Sequence, residues 1–463
     1  MEPMTIREIM QAVDGTMLGE FGDLNREIGQ VETDSRTIHP GSLFVPLSGE
    51  RFDGHAYINA ALEGGAAGCF TQRERESYLP GKFYIKVACT QKALGDLARY
   101  YKRKFPVPVV ALTGSVGKTT TKDMVAAVLG EKYRVLKTEG NLNNEIGVPL
   151  TLLRLGSEHQ IAVLELGMNH AGEIDALSAL VEPDVVLMTN IGDSHIEHFG
   201  SREKILEAKS EIFHHAKPDA FVVLNGDDPL LRDLSGRLPY EKVLVGSGEG
   251  LDYRAEDLES DGRSRLCCRL CTPKGEFPVE IPALGDHMIY PALMAAAVGE
   301  HFGLTREEIA GGILQFAPTK MRMNLLSRGD GITILNDAYN ANPQSMRAAV
   351  EVLSTAKGDF KAAVLGDMFE LGPLAPALHA GVGDYVAKSG VDCLVAVGEL
   401  AKHIYDAAAG MPQAYYCPTK EAAKPILDTL IRPNATILVK ASRGMAFEDL
   451  VEYLKSVTQD PQP

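Results

Sequence analysis

One stretch, VVALTGSVGKTTTKDM at residues 109–124, limits what this chain can fold into. An apolar run typical of a buried strand ends in a glycine-containing turn, and a helical pattern follows at once. Where a strand, such a turn and a helix meet, backbone N–H groups converge and bind phosphate together with a lysine. Leu112 stands where the strict pattern has its first glycine. We predict a phosphate-binding loop rather than a glycine-rich turn without a ligand. Its residues are Gly114, Ser115, Val116, Gly117, Lys118, Thr119 and Thr120.

Strand-like and helix-like stretches alternate after this loop, which predicts an α/β fold with a parallel, doubly wound sheet. The strand candidates are residues 107–114, 160–167, 184–192 and 220–227, and the helix candidates are 119–133 and 201–216. Residues 243–282 look irregular with short strands, and an alanine-rich helix follows near 290–302. After Pro318 the alternation restarts, with strand candidates at 332–337, 362–367, 393–398 and 435–440.

A chain of 463 residues exceeds what one hydrophobic core holds, so several domains are expected. Short β-like runs at 42–49, 66–70 and 82–88 and a helical stretch at 92–105 precede Pro106. We predict three domains. They are a small α/β domain (1–105), a central phosphate-loop domain with the doubly wound sheet (106–317), and a C-terminal Rossmann-like α/β domain (318–463).

The composition excludes several classes of partner. A formal net charge of −16 opposes binding to nucleic acid or to an anionic membrane, since both need a positive surface. No apolar run reaches the roughly 20 residues that cross a bilayer, and the N-terminus lacks a signal pattern. The sequence therefore predicts a cytoplasmic protein without membrane insertion. Its seven cysteines include Cys267, Cys268 and Cys271. No second pair of cysteines or histidines completes a zinc-binding set with them, so we interpret them as structural.

Polar residues stand at or just after the carboxyl ends of the apolar strands, at the edge of the sheet where α/β proteins bind their ligands. These residues are Glu165, Asn190, His195, Asn225 and Asp227. Glu165 ends an otherwise apolar strand, where a carboxylate is costly to bury unless it is paired or binds a metal. Both a structural ion pair and a metal site fit that position.

Lys209 lies on a helix face that the sequence marks for burial. Its neighbours at −4, −3, +3 and +4 are Ile205, Leu206, Ile212 and Phe213. Burial disfavours the charged form of a lysine. Two interpretations stay open: a lysine that extends its amine to the surface, or a neutral amine that has added CO₂ and binds Mg²⁺ as a carbamate.

Together these motifs resemble the Mur ligases, the ATP-dependent amide-forming enzymes of peptidoglycan synthesis. TGSVGKTT, the strand ending at Glu165, TNIGDSHIEHFG and AKSEIF stand in that family's order and approximate spacing. TEGNLNNEIGVPLTLL, NDAYNANPQSM and GDMFELG are similar to the branch that adds D-alanyl-D-alanine, and the Asp-Asn-Pro-Arg signature of the diaminopimelate-adding branch is absent. The resemblance spans the chain, from residues 33–57 in the uridine-nucleotide domain to 438–448 in the C-terminal domain.

The resemblance implies roles for individual residues. Magnesium would be held by Glu165, His195 and carbamylated Lys209, with Thr119 of the phosphate loop. Ser35 and Arg36 would lie at the UDP-sugar. The expected ATP contacts are Lys118 at the β- and γ-phosphates, Asn141 and Asn143 near the second magnesium, Arg322 at the γ-phosphate and Asp337 at the ribose. The roles of Ser442 and Arg443 stay open. The family often has asparagines where this chain has Met288 and Pro291, although His287 is kept, which puts adenine contacts there in doubt.

The implied reaction activates a carboxylate. ATP and two Mg²⁺ would convert the terminal carboxylate of UDP-N-acetylmuramoyl-tripeptide into an acyl phosphate, which the amine of D-Ala-D-Ala attacks. Domain closure would assemble the site in a monomer. Two alternatives remain: another Mur-type or folylpolyglutamate-type amide ligase, and a non-catalytic phosphate-loop switch. DSRTIHPG and YNANP oppose the folylpolyglutamate type, and a switch leaves Glu165, His195 and Lys209 without a role.

Overall fold

The computed structural model describes residues 1–49, 52–328 and 330–457. The N-terminal part is a small α/β fold around a five-stranded sheet of order β2-β9-β8-β5-β4, in which only the β2–β9 pair is antiparallel. Its elements are β1 (Met4–Thr5), α1 (Ile6–Val13), β2 (Thr16–Leu18), β3 (Glu27–Ile28), β4 (Val31–Glu32), β5 (Leu43–Phe44), β6 (Ser48–Gly49), β7 (Phe52–Asp53), α2 (Ile58–Glu63), β8 (Gly68–Thr71), β9 (Phe83–Lys86) and α3 (Thr90–Lys102).

The central part alternates strands and helices as the sequence predicts. The elements are β10 (Val109–Thr113), α4 (Lys118–Gly130), β11 (Val135–Lys137), α5 (Gly147–Leu152), β12 (Ile161–Glu165), α6 (Glu173–Val181), β13 (Val185–Met188), α7 (Ile196–Phe199), α8 (Arg202–Ser210), β14 (Phe221–Asn225), α9 (Pro229–Ser235), β15 (Glu241–Gly246), β16 (Tyr253–Ser260), β17 (Leu266–Thr272), β18 (Gly275–Ile281), α10 (Ile289–His301) and α11 (Arg306–Leu314). The nine strands have the order β11-β12-β10-β13-β14-β15-β16-β17-β18.

One edge of this sheet is antiparallel, which the sequence did not predict. Strands β16, β17 and β18 form a meander whose β17–β18 hairpin closes with Thr272 paired to Gly275. The prediction of short, irregular strands for residues 243–282 is wrong, because β16, β17 and β18 are seven or eight residues long. In β18, in the first half of β16 and in most of β17, buried residues alternate with more exposed ones, as expected for strands with one solvent-exposed face.

The C-terminal part contains a six-stranded sheet of order β19-β20-β24-β21-β22-β23, antiparallel only between β19 and β20. Its elements are β19 (Asn324–Ser327), β20 (Thr333–Asn336), α12 (Pro343–Thr355), β21 (Phe360–Gly366), α13 (Ala375–Lys388), β22 (Cys393–Val397), α14 (Lys402–Ala407), β23 (Gln413–Cys417), α15 (Lys420–Leu430), β24 (Ala435–Lys440) and α16 (Glu448–Ser456). Buried residues of β20, β21, β22 and β24 pack with α15 and α16 in one apolar core. Residues 458–463, with which the third predicted domain ends, lie outside the described residues.

By density of contacts the chain forms two compact units. One comprises residues 1–111, 133–186 and 211–220, and the other comprises 112–132, 187–210 and 221–463. Within the first unit α3 packs on α5 and α6, and Tyr101 Oη donates to the carbonyl of Leu155 at 2.6 Å. The bounds of the three domains stay a prediction, and the contacts of α3 with α5 and α6 cross the predicted boundary at residue 106.

None of the helices in the described part of the chain combines the length and the apolar character that a bilayer crossing needs.

Candidate active site

The phosphate loop is held in shape by the segment that follows β13. The N–H of Ser115 donates to the carbonyl of Asn190 at 2.9 Å, and the N–H of Val116 donates to Asn190 Oδ1 at 2.9 Å. Thr189 Oγ1 donates to the carbonyl of Val116 at 2.6 Å, and the N–H of Gly192 donates to Ser115 Oγ at 2.8 Å. These contacts hold Ser115 and Val116, near the start of the loop, against one neighbouring segment.

Glycine is required at the start of this loop. A Cβ on Gly114 would lie 1.9 Å from Thr189 Oγ1, so no other residue fits without a shift. Gly117 has φ of +82° and stands directly before α4, whose N-terminus opens on the loop. Lys118 Nζ donates to the carbonyl of Gly114 at 2.8 Å. A lysine and a helix N-terminus thus stand at one turn, and these are the elements of the anion site that the sequence predicts.

Glu165 is buried at the end of β12, and its surroundings within the first unit are polar. Asn143 Nδ2 donates to Glu165 Oε1 at 2.8 Å, and the N–H of Glu165 donates to Thr138 Oγ1 at 3.0 Å. Asn141 is exposed and accepts from the N–H of Asn143 at 2.8 Å. Of the two predicted asparagines, Asn143 therefore contacts the predicted metal ligand directly.

Lys209 is buried, with 1% of its surface exposed. Its four predicted neighbours, Ile205, Leu206, Ile212 and Phe213, are buried as well. The helix ends at Ser210 and a 3₁₀ turn continues through Phe213, so the face is apolar although it is not α-helical throughout. A lysine that extended its amine to the surface would be partly exposed, so that interpretation is wrong.

His195 meets a carboxylate that the sequence analysis did not name. Its Nδ1 lies 2.5 Å from Glu370 Oε2. The nearby imidazole holds the pKa of Glu370 below its ordinary value. Two further contacts lie close to this pair. The N–H of Glu197 donates to the carbonyl of Glu370 at 3.3 Å, and Asn342 Nδ2, directly before α12, donates to Ser194 Oγ at 2.8 Å.

The residues that present Glu370 form the 366–372 loop, which follows β21. Ser442 anchors it, because its hydroxyl accepts from the N–H of Phe369 at 2.9 Å and its own N–H donates to the carbonyl of Asp367 at 3.0 Å. His379, fully buried in α13, accepts from the N–H of Met368 through Nε2 at 2.9 Å. These contacts give Ser442, whose role was open, a structural function. GDMFELG was a motif in the sequence, but no local pattern indicated the partners of its residues.

Arg322 and Asp337 lie in the second unit with defined partners. The guanidinium of Arg322 stacks on the ring of Tyr339, 4.1 Å from its centroid, and no described residue accepts a hydrogen bond from its buried Nε. Asp337 accepts from Lys440 Nζ at 2.5 Å and from the N–H of Met323 at 3.1 Å. Each carboxylate oxygen keeps a second lone pair for a further donor.

The predicted sugar residues are accessible but do not line the cavity of the N-terminal part. Ser35 is half-buried, and Arg36 is exposed and paired with Asp34 at 2.6 Å. That pairing holds the pKa of Asp34 at about 2. A separate cavity of about 520 Å³ is lined by Ser48, Gly49, Phe52, Asp53, His55, Gln72 and Arg73.

The roles of two further regions stay open. Met288 and Pro291 are buried at the start of α10, and His287 beside them is exposed. The described cysteines are all free thiols, and burial raises the pKa of Cys268 to about 12. Among the described residues no group of three or more histidine, cysteine or acidic side chains forms a metal cluster.

Family models and a curated relative decide the family. The "Mur ligase family, catalytic domain" matches residues 27–102, the "Mur ligase middle domain" matches 112–299, and the "Mur ligase, glutamate ligase domain" matches 321–443. The UDP-N-acetylmuramoyl-tripeptide–D-alanyl-D-alanine ligase of Bacillus subtilis (strain 168) is 38% identical over 456 residues, which cover 97% of this chain and 98% of that protein. The chain belongs to the Mur ligase family.

Solved Mur ligases share the fold of the whole chain. A crystal structure of MurF from Acinetobacter baumannii has a TM-score of 0.92 and 35% identity, covering 98% of this chain and 99% of that one. MurF from Thermotoga maritima in complex with ADP has a TM-score of 0.82 and 28% identity, covering 92% and 97%. This Mur ligase therefore has the three-domain α/β architecture that the sequence predicts.

Proposed function

We propose that this Mur ligase joins D-alanyl-D-alanine to UDP-N-acetylmuramoyl-tripeptide in an ATP-dependent, ADP-forming reaction. The supporting observation is the relative of the same activity, which matches over 97% of this chain. The product is the UDP-muramoyl-pentapeptide used for the peptidoglycan of the cell wall. We also propose that the enzyme acts in the cytoplasm as a monomer.

The first chemical step activates the tripeptide. Its terminal carboxylate oxygen attacks the γ-phosphorus of ATP, the bond from that phosphorus to the β–γ bridging oxygen breaks, and an acyl phosphate and ADP form. Lys118, which donates to the carbonyl of Gly114 in this structure, would turn its ammonium to the β- and γ-phosphates. Backbone N–H groups from Gly114 to Thr120 would hold the same phosphates, because α4 begins inside this loop.

The second step makes the amide. The neutral amine nitrogen of D-Ala-D-Ala attacks the acyl carbon, the carbon–oxygen bond to phosphate breaks, and the nitrogen loses a proton. This step depends mainly on holding the amine against the carbonyl. We assign that task to the loops at the carboxyl ends of β20, β21 and β24, which the parallel strands bring to one edge.

The residues of the chain fit a magnesium-dependent nucleotide site. A buried hydroxyl at Thr119 and a buried carboxylate at Glu165 are the oxygen ligands that Mg²⁺ prefers. We propose that they bind two ions together with His195 and Lys209. When bound, magnesium offsets the repulsion between the substrate carboxylate and the phosphates of ATP.

Lys209 becomes a ligand in this proposal by adding CO₂. Its burial among apolar side chains favours a neutral amine, which attacks the carbon of CO₂ and loses a proton to give an anionic carbamate. Arg322, whose buried Nε has no acceptor among the described residues, would donate to the γ-phosphate. Asp337 would accept from the ATP ribose, Asn141 would lie near the nucleotide, and Ser35 and Arg36 near the UDP-sugar.

A phosphate-release assay with single omissions tests the proposal. Release should require ATP, Mg²⁺, UDP-muramoyl-tripeptide and D-Ala-D-Ala together, and L-Ala-L-Ala should support very little. Tripeptides with diaminopimelate or lysine at the third position are compared in parallel. Lys118→Ala serves as the inactive control. Release with a single amino acid in place of the dipeptide moves the chain to another branch, and release that ignores both substrates indicates a switch.

A further inference from the structure

His195 and Glu370 are in contact although 174 intervening residues separate them in the sequence (196 to 369), and both have unusual backbones. Their φ angles are +61° and +63°, a region that residues other than glycine rarely adopt. Such strain persists only where the surroundings hold it, and it concentrates at functional sites. The two side chains meet at 2.5 Å between Nδ1 of His195 and Oε2 of Glu370.

The loop that carries Glu370 is fixed from both sides. Within the C-terminal part, Ser442 and His379 hold the backbone N–H groups of Phe369 and Met368. On the other side, the carbonyl of Glu370 accepts from the N–H of Glu197, the second residue of α7. Gly372 packs so closely there that an added Cβ would lie 3.1 Å from Glu197 Cγ. The carboxylate of Glu370 is therefore delivered to His195 by an anchored loop.

We propose that Glu370 is a positioning residue whose carboxylate, in ion-pair contact with Nδ1 of His195, favours the tautomer that is protonated there. A histidine whose Nδ1 carries the proton has its free lone pair on Nε2, so Glu370 fixes the tautomer and the ring orientation that a divalent cation requires. The inference rests on the proposed function, in which His195 binds magnesium. Because Glu370 comes from the 366–372 loop, docking of this loop prepares His195 for the metal.

Mn²⁺ titration of the full chain with ADP, followed by electron paramagnetic resonance, measures metal binding without turnover. Glu370→Ala should raise the Kd of Mn²⁺ by about 10- to 100-fold, the effect of losing a partner that orients a metal-binding histidine. Glu370→Gln keeps the side-chain length and an acceptor oxygen, so it should raise the Kd less, and it stays informative if the alanine variant does not fold. Glu452→Gln changes an exposed carboxylate that pairs only with Lys455 among the described residues, and it should leave the Kd unchanged.

His195→Ala separates failure of this inference from failure of the proposed function. If His195→Ala weakens Mn²⁺ binding while both Glu370 variants match the wild type, the positioning role is overturned and the metal role of His195 stands. If His195→Ala leaves the Kd unchanged, the proposed metal role is overturned, and the inference with it. In steady state, Glu370→Ala should raise the Mg²⁺ concentration for half-maximal rate and leave the KM for UDP-muramoyl-tripeptide unchanged.

Discussion

The burial of the Lys209 amine leads to a testable prediction. Lys209→Ala should lower ligation by more than about 100-fold, since even partners that only orient metal ligands cost 10- to 100-fold. The chain should stay folded, because the substitution leaves the buried apolar neighbours of Lys209 in place. Phosphate release measures the first effect and circular dichroism the second. Lys204→Ala, on the exposed side of the same helix, is the matched control and should behave as wild type.

The identity of the replacement tests the carbamate itself. Arginine stays cationic and cannot add CO₂, so Lys209→Arg should be as inactive as the alanine variant. Acetate at high concentration should restore part of the activity of Lys209→Ala by supplying a carboxylate. Near wild-type turnover by Lys209→Arg would contradict the carbamate and leave Lys209 as a structural lysine.

The two glycines of the phosphate loop should respond differently to alanine. In Gly114→Ala the new Cβ meets Thr189 Oγ1 at 1.9 Å, so the loop must shift and lose its contacts with Asn190. The rise in melting temperature caused by ADP should disappear. In Gly117→Ala the Cβ points into open space, and only the φ of +82° opposes it, at a cost of roughly 1–2 kcal/mol. The Gly117→Ala variant should have a lower melting temperature than the wild type, but ADP should still raise that temperature. An intact response in Gly114→Ala would show that the loop tolerates the shift.

Residues differ in how far the sequence reveals them. The burial of Lys209 was predictable because its apolar neighbours are close in sequence. The phosphate loop was predictable because its glycines and lysine form one continuous motif. The contact of His195 with Glu370 was not, since it depends on how two distant loops pack. The ion pair of Asp337 with Lys440 was missed for the same reason.

At the scale of elements, α13 stabilises the 366–372 loop in a pH-dependent way. Burial lowers the pKa of His379 below its ordinary value, and the charge of His403 lowers it further. In the unfolded chain a histidine has a pKa of about 6.5. Below that pH the unfolded state therefore binds a proton that the folded state does not bind. The free energy of unfolding should therefore fall as the pH falls below about 6.5, by up to about 1.4 kcal/mol per pH unit from this group.

Urea unfolding between pH 5.5 and 7.5 measures this dependence. His379→Gln should be less stable at pH 7.5, because the N–H of Met368 loses its acceptor, but it should lose the part of the slope that His379 causes. His170→Gln, at an exposed site, is the control and should keep the wild-type slope. An unchanged slope in His379→Gln would contradict the assignment.

Elements were predictable where a buried apolar run is continuous. Strands β10, β12, β13 and β14 are buried at every position and were all predicted. Strand β23 was missed because QAYYC is partly exposed at four of its five positions. The sequence of β16, YRAEDLES, carries charges on its exposed side, so it does not look like a strand. Its extended structure depends on pairing with β17.

At the scale of the whole molecule, the boundary at residue 106 can be tested with fragments. Within the first compact unit α3 buries Leu97, Ala98 and Tyr101, and it packs on α5 and α6. Glu182 at the end of α6 pairs with Arg103 at 2.8 Å. A fragment of residues 106–317 keeps every strand of the nine-stranded sheet but lacks α3.

Residues 106–317 should fold, and residues 90–317 should fold more stably. Burying one large apolar side chain contributes about 1.5–3 kcal/mol, and 1 kcal/mol corresponds to roughly 2–4 °C at this size. Restoring α3 should thus raise the melting temperature by more than about 5 °C, measured by calorimetry. Equal melting temperatures would support the boundary at residue 106 as predicted. Neither fragment should ligate, because Arg322 and Asp337 are missing from both. Ligation by either one would show that the third domain supplies no residue that the chemistry needs.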